Sequence, residues 1–474
     1  MPLPSDLESQ SCAATTTLPG MERLAVYLNA LNPLPKRVEQ VARICLLDTL
    51  GSGIYGTATP EGQRVLRATA ALSGANDVLI WGTSQRSSTD MAALVCGTLC
   101  HVRELDDVHF TIVHTGAVCV PAALAAGQRQ SCNLGHVLRA VTLGVEAIVR
   151  VSLGMDYLSH RRRGWHATAT CGAFGAAAAT ASILGLDDRG LANAMGISGS
   201  RTGGSWAFSL DNAMTKRLHP GLAAKDGVLS AYLAAQGVTG PQYVLEAPDG
   251  GFYQASSDSW DLDQLDCPNE HYAIEDVEYK WFASCKSVHS PHSAALLIHK
   301  DHPELKPEDI RQITVEVNSS AFSMASKMYE QDSVISAQLS IPYGVALGLH
   351  GRQGDVKDYE PEALADRRFF DLADKVRVVI SEEMNHLRKA ELKSGAKLHV
   401  EWHGGQSAEA TVTAPKGVMS NPLTQDDIVQ KFRGLTEHII GKSNTASLIE
   451  MVLNGSGNTP VAELCTLLTP INTR

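Results

Sequence analysis

The hydrophobic pattern of this chain changes near residue 275. From about residue 21 to residue 240, apolar residues recur at the i, i+3, i+4 spacing of amphipathic helices, and glycine-rich turns separate the segments. The pattern predicts helices near residues 38–47, 89–103, 117–128, 134–154, 167–184, 188–197 and 221–236. Because the segment 168–184 is so rich in Ala and Gly, we expect its helix to pack closely against its neighbours.

Beyond residue 275 the chain mixes two periodicities. Residues 313–318, 376–380, 397–402 and 408–413 alternate apolar and polar positions, as half-buried strands do. Gly404 and Gly405 predict a hairpin between the last two of these strands. Helical segments are predicted near residues 287–300, 334–349 and 360–374, and again at 424–432 and 445–453.

These patterns predict a mainly α fold, with a large all-helical domain and a smaller α+β lid domain inserted before the C-terminal helices. The predicted limits are a flexible N-terminal tail over 1–20, the helical domain over 21–275, the lid over 276–415, and C-terminal helices over 416–474 that rejoin the helical domain. The cleft between two domains is a common place for a small-molecule site.

Composition narrows the range of partners. The hydrophobic content of 44% is ordinary for a globular protein, and the formal charge is 40 − 51 = −11. This acidic balance argues against nucleic acid or an anionic membrane as the main partner. An anionic small molecule would need a local cluster of Lys, Arg and His.

Cysteine usage and the N-terminus bear on the compartment. The ten cysteines are scattered without zinc or iron–sulfur spacing, which favours free thiols in a reducing compartment. Residues 1–20 lack the apolar stretch of a signal peptide, and we find no apolar run of the roughly 18 residues that a membrane span needs. We expect a cytoplasmic protein, and a mitochondrial location stays open.

The segment 104–114 concentrates ionisable groups between two apolar flanks. It carries three carboxylates and two imidazoles, on Glu104, Asp106, Asp107, His109 and His114. The apolar runs at 92–95 and 118–125 predict buried helices on both sides. Burial shifts pKa values in the way that acid–base chemistry needs, so the segment indicates an acid–base site.

Two further segments place cationic groups ahead of apolar helices. His166 lies at the start of the Ala- and Gly-rich helix, where backbone N–H groups attract anions. Taken alone, it is equally compatible with a capping or packing role. Lys216, Arg217 and His219 crowd three cationic or basic groups into four residues, which is compatible with a carboxylate clamp or with a solvated turn.

A last segment lies at the predicted junction of the two domains. A hinge at this place could move Lys280 and Lys286 over a cleft. The pair His289 and His292 is too short a motif to predict a metal site, and no third ligand is evident. The chain also lacks a dinucleotide fingerprint, a P-loop, a serine nucleophile elbow and a zinc protease motif. These absences leave general acid–base catalysis on a polyanion, without a metal or organic cofactor, as the chemistry that we expect.

In this order, these segments resemble the MmgE/PrpD superfamily, which includes 2-methylcitrate dehydratase, cis-aconitate decarboxylase and iminodisuccinate epimerase. The resemblance runs over about residues 38–467. The marks that carry it are residues 47–51, 104–114, 164–166, 216–224 and 340–343. It implies a helical domain with an α+β lid, usually in a homodimer, and chemistry without a metal or organic cofactor.

The resemblance also implies residue roles. The family's active-site positions match His114, His166, Lys216, Lys280 and Tyr343. The predicted substrate contacts are Glu104, Asp106, Asp107, Val108, Arg217, His219, Cys285 and Lys286. The mammalian decarboxylase pattern has Asp at position 104, Thr at 108 and a lid His at 285, whereas fungal-type decarboxylases share the Glu-Leu-Asp-Asp run of this chain.

The mechanism implied is the same for several reactions. His114 and His166 would be the acid–base pair, the lysines would neutralise carboxylate charge, and Asp106 and Asp107 would orient an imidazole. We expect dehydration of 2-methylcitrate or a longer alkylcitrate, because Val108 and Cys285 suit an apolar branch. The alternatives are decarboxylation of cis-aconitate to itaconate, an iminodisuccinate-type epimerisation, and a non-enzymatic carboxylate-binding protein.

Overall fold

The structure is a computed structural model that describes residues 18–72, 74, 76–266 and 271–470. Most of the predicted N-terminal tail, residues 1–17, lies outside the described residues, as do Cys12 and Cys267. The mainly α fold class is confirmed.

Helices dominate the first part of the chain. Among its described residues the strands are β1 (Val78–Leu79) and β2 (Arg86–Ser87), which form an antiparallel hairpin that was not predicted. The helices are α1 (Gly20–Ala30), α2 (Lys36–Gly56), α3 (Pro60–Ala70), α4 (Thr89–His101), α5 (Gly116–Arg129), α6 (Leu134–Leu153), α7 (Tyr157–Arg162), α8 (Ala167–Thr170), α9 (Gly172–Leu184), α10 (Asp188–Gly199), α11 (Phe208–Asp211), α12 (Thr215–Ala235) and α13 (Phe252–Ser256).

The second part combines helices with one four-stranded sheet. Its elements are α14 (Lys286–Asp301), β3 (Ile310–Val317), α15 (Ser319–Ala325), α16 (Val334–Gln338), α17 (Ile341–Leu349), α18 (Pro361–Leu364), α19 (Arg367–Ala373), β4 (Val376–Ile380), α20 (Glu382–Glu391), β5 (Ala396–Trp402) and β6 (Gln406–Val412). The strand order is β4-β3-β5-β6, with β3 and β4 parallel and the other pairs antiparallel. The chain ends with α21 (Gln425–Asn454) and α22 (Val461–Leu467).

Two hydrophobic cores underlie this arrangement. One draws on residues between 21 and 277 together with residues 428–468, so the C-terminal helices pack with the first part of the chain. The other draws mainly on residues 283–408. The domain limits given above stay a prediction, and the division into two cores favours them.

Several predicted helices have different bounds because of local capping. The predicted helix 334–349 is two helices, since the side chain of Ser340 accepts a hydrogen bond from Tyr343 N and begins α17 anew. The segments 424–432 and 445–453 belong to one helical run, α21, which is kinked at Gly441 with φ 82°. The hairpin of β5 and β6 lies where the paired glycines predicted it.

The Ala- and Gly-rich segment packs as closely as its composition predicts. A Cβ on Gly175 would lie 2.7 Å from the carbonyl oxygen of Gly144 in α6. By length and composition, residues Ala167–Leu184 could cross a membrane, although 83% of that segment is buried inside the protein. Our expectation that no apolar run reaches this length was wrong here, because the run is interrupted by Thr and Gly yet stays apolar on average.

Candidate active site

A cavity of about 420 Å³ lies between the helical core and the lid. The helical side contributes the loop 102–115 between α4 and α5, the start of α8 and the start of α12. The lid side contributes the start of α14, α15, the end of α20 and the segment 413–420. Its size falls within the range of roughly 300–1,000 Å³ that small-molecule sites occupy.

The loop between α4 and α5 has an unusual backbone at the cavity. Glu104 and Ile112, which both line the cavity, have positive φ angles of 52° and 66°. Residues with a Cβ rarely adopt this conformation, and it persists only where the surrounding structure imposes it. Val108 exchanges two backbone hydrogen bonds of 2.9 Å with Glu278, which ties the loop to the segment that carries Lys280.

Glu104 joins two buried ammonium groups. Lys216 Nζ donates to Oε1 of Glu104, and Lys280 Nζ donates to Oε2 at 3.1 Å. Burial works to raise the pKa of Glu104, but the two lysines outweigh it and hold this pKa well below its usual range. The loop, α12 and the segment that carries Lys280 therefore present a carboxylate and two cations to the same end of the cavity.

Asp106 lies behind this group and holds two imidazoles. Its Oδ2 accepts from His101 Nδ1 at 2.7 Å and lies 3.1 Å from His114 Nδ1, while its Oδ1 is 3.6 Å from Lys280 Nζ. Although burial alone would raise it, the pKa of Asp106 is held well below its usual range by the neighbouring imidazoles and Lys280. Asp106 does not line the cavity. Its orienting role stays a prediction, which its contacts with His101 and His114 support.

The tautomer of His114 is set by its surroundings. Its Nδ1 lies 2.7 Å from the carbonyl oxygen of Asp107, and a carbonyl can only accept, so Nδ1 carries the proton. Nε2 then has a free lone pair, on a side chain that lines the cavity. A neutral His114 is accordingly an acceptor, or base, at Nε2.

Asp107 caps a helix. Its carboxylate accepts from the Thr115 hydroxyl at 2.7 Å and from Gly116 N at 2.8 Å, at the first turn of α5. Burial and the nearby Asp106 raise the pKa of Asp107 to about 7. Asp107 does not line the cavity, and the structure does not bring this predicted substrate contact to it.

His166 and His219 form a direct imidazole pair. The two Nδ1 atoms are 2.8 Å apart, and His166 alone lines the cavity. Burial, His219 and Lys216 hold the pKa of His166 well below its usual range, and burial and Lys216 lower that of His219 to about 4. His219 therefore contacts His166 from behind, and the structure does not bring this predicted substrate contact to the cavity.

Two other predicted residues lie away from the cavity. Arg217 turns from it to pair with Glu61 Oε1 at 2.7 Å, because one turn of α12 points neighbouring side chains in different directions. Tyr343 is fully buried in the lid core, where its hydroxyl donates to Asp358 O at 2.6 Å. Neither lines the cavity in this structure, and both make structural contacts instead.

The rest of the cavity lining, from both sides, carries apolar side chains and a lysine that already has partners. Val108, Cys285 and Lys286 line the cavity as predicted. Lys286 Nζ donates to Gly417 O at 2.9 Å and lies 3.5 Å from Glu278. The other apolar members of the lining include Phe110, Ile112, Trp206, Met324, Leu339 and Val418.

Sequence reasoning missed His101, Trp206, Met324 and Arg388. His101 is the last residue of α4, is fully buried, and its ring lies 4.5 Å from that of His114 between centroids. Its position one turn before the acidic segment was a usable signal. Trp206, Met324 and Arg388 come from segments without any local motif, so only the tertiary structure brings them to the cavity.

Three imidazoles converge closely enough to be tested as a metal site. One ring nitrogen from each of His101, His114 and His166 lies within 4.8 Å of the others. The ammonium groups of Lys216 and Lys280 both pair with Glu104 beside these rings, and they would repel a divalent cation. Asp106, which contacts two of the three rings, would attract such a cation, so the charges beside the rings do not select a metal ion.

Several named proteins are similar in sequence to nearly the whole of this chain. A cis-aconitate decarboxylase-like protein of Aspergillus oryzae is 27% identical over 470 residues, covering 94% of this chain and 96% of that protein. Cis-aconitate decarboxylase of Aspergillus terreus is 26% identical over 463 residues, covering 93% of each chain. Human cis-aconitate decarboxylase is 28% identical over 469 residues, covering 94% of this chain and 93% of that protein.

Domain matches confirm the resemblance seen in the sequence motifs. Residues 22–265 match the MmgE/PrpD N-terminal domain, and residues 282–455 match the MmgE/PrpD C-terminal domain. Because the two matches follow each other and cover most of the chain, the protein belongs to the MmgE/PrpD family.

Proposed function

We propose that this protein is a lyase that acts on citrate-type tricarboxylates, and that its reaction is decarboxylation of a cis-aconitate-type substrate. The observation that carries the proposal is the group of His114, His166, Lys216 and Lys280 at one end of a single cavity. The names of the relatives support decarboxylation over the dehydration expected from the sequence.

The reaction needs charge compensation and one proton. Carbon dioxide leaves when the bond to one carboxylate breaks, and its electron pair forms a new terminal double bond. The original double bond shifts, and the carbon beside a remaining carboxylate takes up a proton. The product is a methylene dicarboxylate such as itaconate.

The residues at the inner end of the cavity match these needs. Lys216 and Lys280 would hold two carboxylates and stabilise the negative charge that develops as carbon dioxide leaves. Both lysines are bonded to Glu104 in the structure, so substrate carboxylates would compete with Glu104 for them. His166 would donate the proton to carbon, and His114, with its lone pair at Nε2, would accept a hydrogen bond or remove a proton.

The test is direct incubation of the purified protein with cis-aconitate. We expect carbon dioxide release and a change in the ultraviolet absorbance, because the conjugated double bond moves to a terminal position. Proton NMR should show a terminal methylene, and the reaction in D₂O should place one deuterium on the product carbon beside the remaining carboxylate. Absence of carbon dioxide would refute decarboxylation, and tight binding without turnover would favour a carboxylate-binding protein.

Dehydration of 2-methylcitrate or a longer alkylcitrate is the second candidate. The apolar wall formed by Val108, Met324 and Leu339 favours a substrate with an alkyl branch. The same imidazoles would remove a proton beside a carboxylate and protonate the departing hydroxyl. Water loss from an alkylcitrate with no carbon dioxide from cis-aconitate would establish this candidate in place of the first.

A further inference from the structure

His219 stands directly behind a catalytic imidazole without touching the cavity. It lies on α12 one turn after Lys216, and its Nδ1 is 2.8 Å from Nδ1 of His166. Phe208 packs against both rings, with centroid distances of 6.0 Å to His166 and 5.8 Å to His219. The pairing is therefore built into the wall of the site.

The pairing limits the protonation of both rings. A nitrogen–nitrogen hydrogen bond needs one donor and one acceptor, so one Nδ1 carries a proton and the other does not. The cationic form is disfavoured in both rings, because burial and the charge of Lys216 lower both pKa values. His101 and His114 also face His166 and act in the same direction. Each neutral ring then holds one proton, and the pair has two arrangements.

These arrangements present opposite groups to the cavity. If His166 donates, its Nε2 shows a lone pair, as that of His114 does. If His219 donates, His166 carries its proton on Nε2 and is a proton donor. The carbonyl behind His114 allows only the first arrangement for that residue, whereas a second imidazole behind His166 allows either.

We propose that His219 is a positioning residue that donates its Nδ1 proton to His166 and so makes His166 the proton donor of the site. The proposal rests on the proposed function for the use of that proton, since decarboxylation consumes one proton in each turnover. The base-like tautomer of His114 and the donor tautomer of His166 would then divide the two roles.

The proton balance closes through the pair. The bond between His166 Nε2 and its proton breaks as the new carbon–hydrogen bond forms, and the Nδ1 proton of His219 moves to Nδ1 of His166. His219 takes a proton from water at Nε2, for which the described residues provide no hydrogen-bond partner and which is not among the buried unpaired atoms. After product release, His166 Nε2 gains a proton from water, the Nδ1 proton of His166 returns to Nδ1 of His219, and His219 Nε2 loses its proton to water. Both rings are then neutral again, and each turnover has consumed one proton.

Two variants separate this role from simple packing. His219→Asn keeps a donor near the position of Nδ1, whereas His219→Leu keeps volume and removes the donor. We expect kcat to fall at least 100-fold in His219→Leu and clearly less in His219→Asn, which can hold the tautomer but cannot pass a proton. KM should change less than about threefold in both, because His219 does not contact substrate.

The opposite order would overturn the proposal. If His219 served packing alone, Leu would be the better replacement and would retain kcat within threefold of the original protein. Equal kcat values for the two variants would also refute a donor role. Circular dichroism and melting temperature would show that both variants are folded.

A measurement without substrate keeps the test independent of the proposed reaction. In protein labelled with ¹⁵N-histidine, NMR should show His166 protonated at Nε2 in the original protein and in His219→Asn. A proton on Nδ1 of His166 in the original protein would overturn the inference while leaving the proposed function intact. If His166 has the expected tautomer but the protein releases no carbon dioxide from cis-aconitate, the proposed function is refuted and the inference about His219 stays intact.

Discussion

The two walls of the cavity differ in what they offer a substrate. The helical wall places Glu104, His114, His166 and Lys216 at one end, all of them buried. The lid wall contributes a mixture of apolar side chains, such as Met324, and of hydroxyl and charged side chains, such as Lys286, whose Nζ lies 3.5 Å from Glu278. On the proposed function, the helical wall would bind carboxylates and transfer protons, whereas the lid would select the substrate by its shape.

Removal of His166 from the helical wall should have the largest effect on activity. We expect His166→Ala to lower kcat by about 10²–10⁴-fold, because a general acid contributes about that much. Carbon dioxide release from cis-aconitate measures it. The exposed His136 provides a control, and His136→Ala should leave kcat unchanged. Activity retained in His166→Ala would remove this residue from the mechanism.

Lys280 is the next test, because it links the charges of the helical wall. Lys280→Met leaves Asp106 and Glu104 with one cation fewer, and breaking such a buried pair costs about 3–5 kcal/mol in the free energy of unfolding. Denaturant unfolding measures this. In the double variant Lys280→Met with Asp106→Asn, stability should recover and activity should not. A double variant that is no more stable than the single one would contradict the charge explanation.

The helical wall should also make stability depend on pH. His101 and His219 have pKa values lowered to about 4, and that of His166 lies well below its usual value. The unfolded chain, with an ordinary pKa near about 6.5, binds their protons first as the pH falls. Each imidazole therefore removes about 1.4 kcal/mol per pH unit between roughly pH 6.5 and the folded value.

Asp107 opposes this loss of stability at low pH. Because its folded pKa is raised to about 7, it binds its proton more tightly in the folded state and favours folding as the pH falls towards about 4. Burial also lowers the pKa of His109 to about 3, so four imidazoles oppose this one carboxyl and leave a net loss of stability. Denaturant unfolding at pH 7 and at pH 5 should show it, and His219→Leu should reduce the slope. If the free energy of unfolding does not fall as the pH is lowered from 7 to 5, these imidazoles are not neutral in the folded protein.

The lid wall should give the smallest effect, on substrate choice. Met324→Ala should raise KM for an alkyl-bearing substrate by about three- to tenfold, from the loss of apolar contact, and should affect cis-aconitate less. Met328 is packed on the lid core outside the cavity, so Met328→Ala is the matched control. Equal effects of Met324→Ala on both substrates would show that the lid does not read an alkyl branch.

Much of the architecture could be predicted from local patterns. Helical periodicity located most of the helices of the first part, and alternation located the strands β3 to β6. These signals are strong because burial on one face imposes them on neighbouring residues. The split at Ser340 and the continuous helix α21 were missed, because caps and kinks depend on one or two residues.

The candidate site was predictable only in part. Glu104, His114, His166, Lys216 and Lys280 were selected by the motifs in which they lie, and the structure brings all five to one cavity. The direction of a side chain on its element is not written in such motifs. Arg217 and Tyr343 accordingly turned out to lie in structural contacts, although each adjoins or belongs to a family motif.

The sequence by itself determined the fold class, the family resemblance and the residue types available for acid–base chemistry, because periodicity and motifs are local properties of the chain. Only the tertiary structure decided which atoms meet. It set the carbonyl of Asp107 behind His114 and the ring of His219 behind His166, and so distinguished two imidazoles that look alike in the sequence. A hydrogen-bond partner fixes the tautomer of an imidazole, and here that partner comes from residues whose arrangement the fold alone creates.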